Sequence, residues 1–285
     1  MNLKKITKIC GDQDGAIFAH ELFRFNTKGD CTVFDLRDIA RGEEALSAVA
    51  SFRLDRAREL APHSNAVFFG KDRYEEGDEF PLLYSNVYNN YKNAEDPMLG
   101  VCLAYRLTRT DGGFSTELVQ MIRIGFVEDV QLWRASEEAH GERPYGNFVM
   151  DTDGGALWVF VMRNEEKGTR FFRFDAPSPR DGEMGADGIR RVVLSADDIK
   201  EYFDMPYYRF VQGAIYHDGK IYSTEGFEND MVNRPAIRVV DVEKRVEEYY
   251  DLTAHGMFNE AEMIDFYRDQ CVYSDANGSV YLVEF

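Results

Sequence analysis

Short runs of alternating apolar and polar residues recur along the chain, and turns rich in glycine, asparagine or aspartate separate them. Such alternation predicts β-strands, because successive side chains of a strand point to opposite faces of its sheet. Helical signals are few. They predict short helices only at 40–50 and at 195–203, where Ser195 precedes first-turn acids. The pattern therefore predicts an all-β protein.

Five segments begin with polar or small residues and continue with apolar ones, and each predicts the first strand of a repeated unit. We call the polar or small residues that open these segments the polar entries. The five segments begin near residues 13, 63, 145, 211 and 260. A second strand rich in aromatic and β-branched residues follows each one, and hairpin signals at 153–155 and 218–219 join two of the pairs. The third strands carry apolar residues on both faces, as a sheet packed between two neighbouring sheets requires.

Outer fourth strands are predicted at 50–54, 118–124, 191–194 and 247–252, and the fifth unit lacks one. Residues 3–9 form a strand-like segment with no unit of its own. Pairing this segment beside the C-terminal strand closes a ring and removes two exposed edges. The chain is therefore predicted to be a single five-bladed β-propeller of four-stranded antiparallel blades, at about 13–55, 63–126, 145–195, 209–252, and 260–285 with 3–9. The alternative is a sandwich with a long meander.

The composition narrows the set of partners. With 33 Lys and Arg against 51 Asp and Glu, the 285-residue chain has a formal net charge of −18, which disfavours nucleic acid. The sequence has no secretory signal and no membrane-spanning run, so the cytoplasm is the expected compartment. The cysteines form no CxxC pair and are expected to be isolated buried thiols; they are Cys10, Cys31, Cys102 and Cys271.

The first strand of each propeller blade lines the central channel, so the polar entries are expected to converge there. Asp14 and Glu262 are the candidate catalytic pair, since two carboxyls across a channel suit general acid and base roles. The candidate ligand-binding residues share the same entries or reach the mouth from a second strand, and Glu260 lies among the entries; the candidates are Gln13, His63, Asn65, Tyr145, Asn147, Gln212 and Glu225. His63 is interpreted as a hydrogen-bonding residue, and neither a metal site nor a cofactor is predicted.

In outline, these entries resemble the five-bladed propellers of the glycoside hydrolase type. That family carries an aspartate base early in blade one, a second aspartate in blade two and a glutamate acid later. Asp14 resembles the first of these by position, but blade two has His63 and Asn65 and blade three has Asn147, so the carboxylate triad is not reproduced. The resemblance covers the whole chain as architecture, and it implies a hydrolase or lyase acting on a glycan.

Three functions remain open from the sequence. The first is binding of a small polar molecule or saccharide at the channel mouth. The alternating aromatic and amide residues of 84–91 are compatible with a saccharide, but a tyrosine-rich face between blades with amides in the turn is the preferred interpretation of that segment. The second is a glycan-active hydrolase or lyase that uses Asp14 and Glu262. The third is a protein-interaction scaffold that uses its rim loops. A monomer is expected in each case.

Overall fold

The computed structural model describes residues 1–40, 45–87, 98, 100–126, 145–208 and 210–285. Within them the chain forms five β-sheets, each of which contains one blade of a five-bladed propeller, and the sheet of blade 2 has two further strands. The predicted all-β fold class is confirmed. No helix among these residues is long and apolar enough to span a membrane.

Each blade has four antiparallel strands in the order given, starting from the axis. Blade 1 consists of β2 Gly15–Phe18, β3 Glu21–Phe25, β4 Asp30–Asp35 and β5 Ala48–Arg53. Blade 2 contains β6 Val67–Phe69, β7 Leu83–Val87, β8 Val101–Thr110 and β9 Gly113–Ile124. Blade 3 contains β10 Tyr145–Asp151, β11 Ala156–Asn164, β12 Gly168–Asp175 and β15 Glu201–Met205. Blade 4 contains β16 Val211–His217, β17 Lys220–Glu225, β18 Ala236–Asp241 and β19 Val246–Asp251. Blade 5 contains β20 Ala261–Tyr267, β21 Gln270–Asp275, β22 Ser279–Glu284 and β1 Asn2–Lys8.

The N-terminal strand closes the ring as predicted. Strand β1 pairs antiparallel with β22, with Leu3 opposite Val283 and Lys5 opposite Tyr281. Beyond the strand, Ile9 donates its N–H to the Gly278 carbonyl at 2.8 Å. Joining the two ends of the chain in one blade leaves neither terminal strand as an open edge of a separate sheet.

The limit of blade 3 at residue 195 is corrected by the structure. The predicted fourth strand lies within β14 Arg190–Leu194, which pairs parallel to β9 of blade 2 and carries the short β13 Glu183–Met184 on its other side. The fourth strand of blade 3 is β15 instead, where Phe203 packs on Phe171 of β12 at 5.1 Å between ring centroids. Alternation identified β14 as a strand but carried no information about its partner.

Both predicted helices are also wrong in extent. Only Ala196–Asp198 is helical in the second segment, as a 3-10 turn, and β15 follows it. In the first segment a short helix α1 occupies Arg37–Ala40, and β5 begins at Ala48, while residues 41–44 lie outside the described residues. The other helical turns are α2 Ala57–Leu60 and a 3-10 turn at Leu252–His255.

The core consists of one apolar cluster between each pair of neighbouring blades. Tyr84 belongs to one of them, because its ring stacks on Phe68 at 5.0 Å, which places this tyrosine on a face between blades. Residues 88–91 of the same segment lie outside the described residues. The thiols of Cys31, Cys102 and Cys271 are buried as expected, whereas Cys10 is exposed because it lies beyond the end of β1.

Candidate functional site

Three polar side chains lie at one level of the propeller axis. At that level each of the inner strands that carry them has one residue more than the strand with which it pairs. In blades 4 and 5 the register shifts between Val211 and Gly213 and between Ala261 and Met263, so Gln212 and Glu262 are the extra residues. A β-bulge of this kind redirects the side chain of the inserted residue.

Blade 1 has the same arrangement just before β2. Gln13 donates its N–H to the Phe25 carbonyl, and Phe25 donates its N–H to the Asp14 carbonyl, both at 3.2 Å. Two residues therefore oppose one, and Asp14 occupies the position equivalent to Gln212 and Glu262. Blade 3 also shifts register at this level, between Tyr145 and Asn147. The end of the axis at which the inner strands begin is called the axial mouth below.

Asp14 joins three blades at the axial mouth. Its side chain is fully buried, and Oδ2 accepts a hydrogen bond from the Val67 N–H of blade 2 at 2.9 Å. The other oxygen approaches blade 4, since a Cβ added to Gly213 would lie 3.0 Å from Asp14 Oδ1 and 2.2 Å from the Glu262 carbonyl oxygen. Only glycine fits at position 213, and the approach of these groups from blades 1 and 5 makes the axis narrow.

Arg24 brings a buried positive charge to the same place. It lies on β3, is 1% exposed, and donates from Nη2 to the Asp275 carbonyl of blade 5 at 3.2 Å. Its Nε and Nη1 have no hydrogen-bond partner among the described residues. Burial lowers the pKa of Arg24, and the opposite charges of Glu262 and Asp14 act against that lowering.

Burial also raises the pKa values of the acids of this site. The pKa of Asp14 is well above its ordinary range because of desolvation, although the Val67 N–H opposes the rise. The pKa of Glu262 is likewise raised well above its usual range, first by burial and then by the charge of Glu260, with Arg24 acting in the opposite direction. These shifts mean that the site holds its carboxyls with too little positive charge to keep them ionised at their usual pKa values.

A chain of amide hydrogen bonds crosses the mouth from blade 2 to blade 5. Asn65 donates from Nδ2 to Gln212 Oε1 at 3.0 Å, and Gln212 donates from Nε2 to Glu260 Oε1. Glu260 is half-buried, and burial raises its pKa to about 7, with the charge of Glu228 adding to the rise. We call Asp14, Arg24, Asn65, Gln212, Glu260 and Glu262 the axial cluster.

Several buried polar atoms on the inner strands have no hydrogen-bond partner among the described residues. They are Gln13 Oε1, Asp14 Oδ1, Asn65 Oδ1, Glu262 Oε2, and both amide atoms of Asn147. Asp14, Asn65 and Asn147 are 0% exposed, and Glu262 is 2% exposed. Because buried polar groups of native proteins are almost always hydrogen-bonded, these atoms indicate a place for bound polar molecules.

Three further predicted residues are Glu225, His63 and Tyr145. Glu225 forms an ion pair with Arg238 at 2.7 Å, which ties its carboxylate to the body of blade 4. His63 is half-buried and has a left-handed backbone conformation two residues before Asn65. Tyr145 begins β10, and its side chain lies outside what the structure describes.

Sequence reasoning missed two residues. Arg24 stands in Leu22-Phe23-Arg24-Phe25, and a charge inside an aromatic strand was the available signal. Asp265 accepts the Ile17 N–H and the Phe266 N–H, both at 2.6 Å, so it links blade 5 to blade 1 as Asp14 links blade 1 to blade 2. Burial raises the pKa of Asp265 to about 7. In the described part of the chain, no group of three or more His, Cys, Asp or Glu side chains could hold a metal ion.

No protein-family model matches the sequence, and no curated protein matches it. Among solved structures, a glutaminyl cyclase of Myxococcus xanthus is similar with a TM-score of 0.49 and 11% identity, over 100% of this chain and 94% of the other. A virginiamycin B lyase of Staphylococcus aureus, in a catalytically inactive form with quinupristin, is similar with a TM-score of 0.43 and 11% identity, over 100% of this chain and 99% of the other. Both scores are below 0.5, so neither likeness carries an argument about this chain.

Proposed function

We propose that the axial mouth binds a small polar molecule of the saccharide or polyol class. The observation that carries the proposal is the set of buried polar atoms without a hydrogen-bond partner among the described residues, contributed by blades 1, 2, 3 and 5. Each buried polar atom left unpaired costs about 1–3 kcal/mol. A ligand rich in hydroxyl groups would donate to the oxygens of Asp14, Asn65 and Glu262 and accept from Arg24, and so recover that cost.

Binding is favoured over hydrolysis by the burial of the candidate base. A general base has to come within hydrogen-bond reach of the proton that it abstracts. Asp14 is fully buried, and one of its oxygens is already occupied by the Val67 N–H. A bound ligand has only to donate one hydrogen bond to the remaining oxygen, whereas the hydrolase and lyase alternative also needs that buried oxygen to take a proton and pass it on.

The test combines native mass spectrometry of the purified chain with thermal-shift titration against monosaccharides, disaccharides and polyols. A ligand at about 100 times its Kd adds about 2.7 kcal/mol to the free energy of unfolding, so a binding compound should raise Tm by several degrees. The proposal would be overturned if the native mass spectrum showed only the mass of the polypeptide and no compound changed Tm.

Asn147→Ala gives the site-specific variant, because the Asn147 amide has no protein hydrogen bond to lose among the described residues. We expect it to weaken binding about tenfold, the value of a single hydrogen bond of about 1.4 kcal/mol. The matched control is Asn2→Ala, since Asn2 is exposed on β1. Equal affinity for wild type, Asn147→Ala and Asp14→Asn would place the ligand away from the axis and refute the site.

A further inference from the structure

The hydrogen-bonding groups of the axial mouth are unbalanced, and the imbalance bears on the ligand. At the mouth the buried oxygens without a partner among the described residues are five, on Gln13, Asp14, Asn65, Asn147 and Glu262, whereas the buried nitrogens without a partner in the same set are three, Arg24 Nε, Arg24 Nη1 and Asn147 Nδ2. A hydroxyl group offers one donor hydrogen and two acceptor lone pairs, but a primary ammonium group offers three donor hydrogens and no acceptor. An ammonium group therefore matches the surplus of oxygens better than a hydroxyl group does.

The charges of the site have the same imbalance. Of the charged side chains that act most strongly on Glu262, three are the carboxyls of Glu260, Asp14 and Asp12, and one is the guanidinium of Arg24. A buried charge without a partner is costly unless a counter-charge is supplied or the group takes up a proton. A bound cation would supply the missing charge, and the net charge of −18 attracts cations to the protein as a whole.

Asn65 is a second observation that does not depend on charge. Its amide is 0% exposed and donates to Gln212 from Nδ2, so its orientation is set, and the free Oδ1 is the acceptor that remains. The Gln212 amide is oriented in the same way, because Oε1 accepts from Asn65 and Nε2 donates to Glu260. Each amide therefore uses an N–H group in a hydrogen bond to a protein group, and the atom that Asn65 leaves without a partner is an acceptor.

We propose that the ligand of the axial mouth carries a primary ammonium group, which binds the unpartnered oxygens of Asp14, Glu262 and Asn65, as in an amino sugar or another small hydroxylated amine. The inference rests on the proposed function and narrows its ligand class. Arg24 then donates to the acceptor atoms of the same ligand from Nε and Nη1, the two nitrogens without a partner among the described residues. Burial raises the pKa values of Asp14 and Glu262, and a bound ammonium group would act in the opposite direction, so we expect binding to release protons.

The experiment is isothermal titration calorimetry of the full chain with two matched pairs, glucosamine against glucose and diaminobutane against butanediol. Glucosamine has an ammonium group in place of one hydroxyl group of glucose, and diaminobutane has ammonium groups in place of both hydroxyl groups of butanediol. We expect the amine to bind at least about tenfold more tightly at neutral pH, which corresponds to 1.4 kcal/mol. The binding heat should depend on the ionisation enthalpy of the buffer because protons are released, and affinity should fall in acid as the carboxyls become protonated.

Glu262→Gln tests the assignment, since it keeps the shape of the side chain and removes its charge. We expect the preference for the amine to fall several-fold and proton release to decrease, while Glu284→Gln on the exposed end of β22 changes neither quantity. If Glu262→Gln does not fold, proton release by the wild-type chain remains decisive.

The outcomes separate this inference from the proposed function. Binding of glucose or butanediol as tightly as its amine counterpart, or amine binding without proton release, would overturn the ammonium assignment and leave the polar-ligand proposal standing. Binding of neither pair, with no shift from the saccharide panel, would overturn both.

Discussion

Two buried regions of this propeller show opposite ways of filling space. Between blades 1 and 2 lies a phenylalanine cluster, formed by Phe18, Phe23, Phe25, Phe52, Phe69, Phe80 and Phe114. The rings of Phe23 and Phe69 meet edge to face at 5.2 Å, and those of Phe23 and Phe114 at 5.5 Å. The axial cluster is equally inaccessible to solvent around Asp14, but it contains oxygens and N–H groups without partners among the described residues.

The difference begins at neighbouring positions of one strand. Phe23 and Arg24 are consecutive on β3, so they point to opposite faces of blade 1. Phe23 enters the cluster shared with blade 2, whereas Arg24 turns towards blade 5 and the axis. We infer that the apolar interfaces supply most of the free energy of unfolding of the ring. The polar atoms without partners at the axis lower that free energy, and they remain available to bind a ligand.

The largest effect is expected from Phe23→Ala, which opens a cavity among four rings. The free energy of unfolding should fall by about 3–5 kcal/mol. Urea denaturation followed by fluorescence measures it, and the fraction that remains folded should bind ligand normally. Phe285→Ala is the control, because that ring is 45% exposed and its loss should cost far less. A loss of ligand binding by folded Phe23→Ala would contradict the division between the two regions.

Gly213→Ala should disturb the axis by steric overlap. Its Cβ would lie 2.2 Å from the Glu262 carbonyl oxygen, so the chain has to shift, at a cost of about 1–3 kcal/mol. Gly112→Ala is the matched control, since a Cβ there meets nothing within 4 Å. Denaturation midpoints of the two variants test this expectation, and equal midpoints would show that the blades do not approach one another so closely at Gly213.

The acids Glu260 and Asp265 should make the free energy of unfolding decrease as the pH rises. The pKa values of Glu260 and Asp265 are raised to about 7, so the folded state holds protons that the unfolded state has lost above about pH 4. The free energy of unfolding should therefore fall as the pH rises from about 4 through about 7, by about 1.4 kcal/mol for each unit that separates a folded pKa from its unfolded value. Asp35, whose pKa is lowered to about 2 by Arg37, loses its contribution only at lower pH.

Urea denaturation at about pH 5 and about pH 8 measures this dependence. Glu260→Gln should reduce the slope, and Glu284→Gln should leave it unchanged. A flat or rising profile in the wild-type chain would contradict the burial of unneutralised acids at the axis.

The smallest expected effect has the most informative sign. Glu262→Gln removes a buried carboxyl that lacks sufficient counter-charge, so at about pH 8 the free energy of unfolding should rise by about 1 kcal/mol. Ligand affinity should fall in the same variant. If Glu262→Gln is more stable and binds ligand more weakly, the axial cluster differs from the phenylalanine cluster, where Phe23→Ala loses stability alone. If Glu262→Gln is less stable than the wild type at this pH, the two regions do not differ in this way.

The strands and their closure could be predicted from the sequence because alternation and turn residues are local signals. The entries at Asp14, Asn65, Gln212 and Glu262 were visible as polar residues before apolar runs, and the 3–9 segment was visible as a strand without a unit. The partner of β14 was not visible, since alternation within five residues is the same beside β9 as beside β12. Nor was the pairing of Glu225 with Arg238, which lies on the next strand of the same blade.

The sequence by itself determined the number of blades, the strand that closes them and the polar character of the inner strand entries. Only the tertiary structure decided which of those entries act together. The β-bulges place Asp14, Gln212 and Glu262 at one level, Arg24 arrives from a second strand, and Gly213 lets the blades meet. The physical reason is that a strand is specified by its own residues, whereas burial, charge balance and the satisfaction of a polar atom depend on groups that only the closed ring brings together.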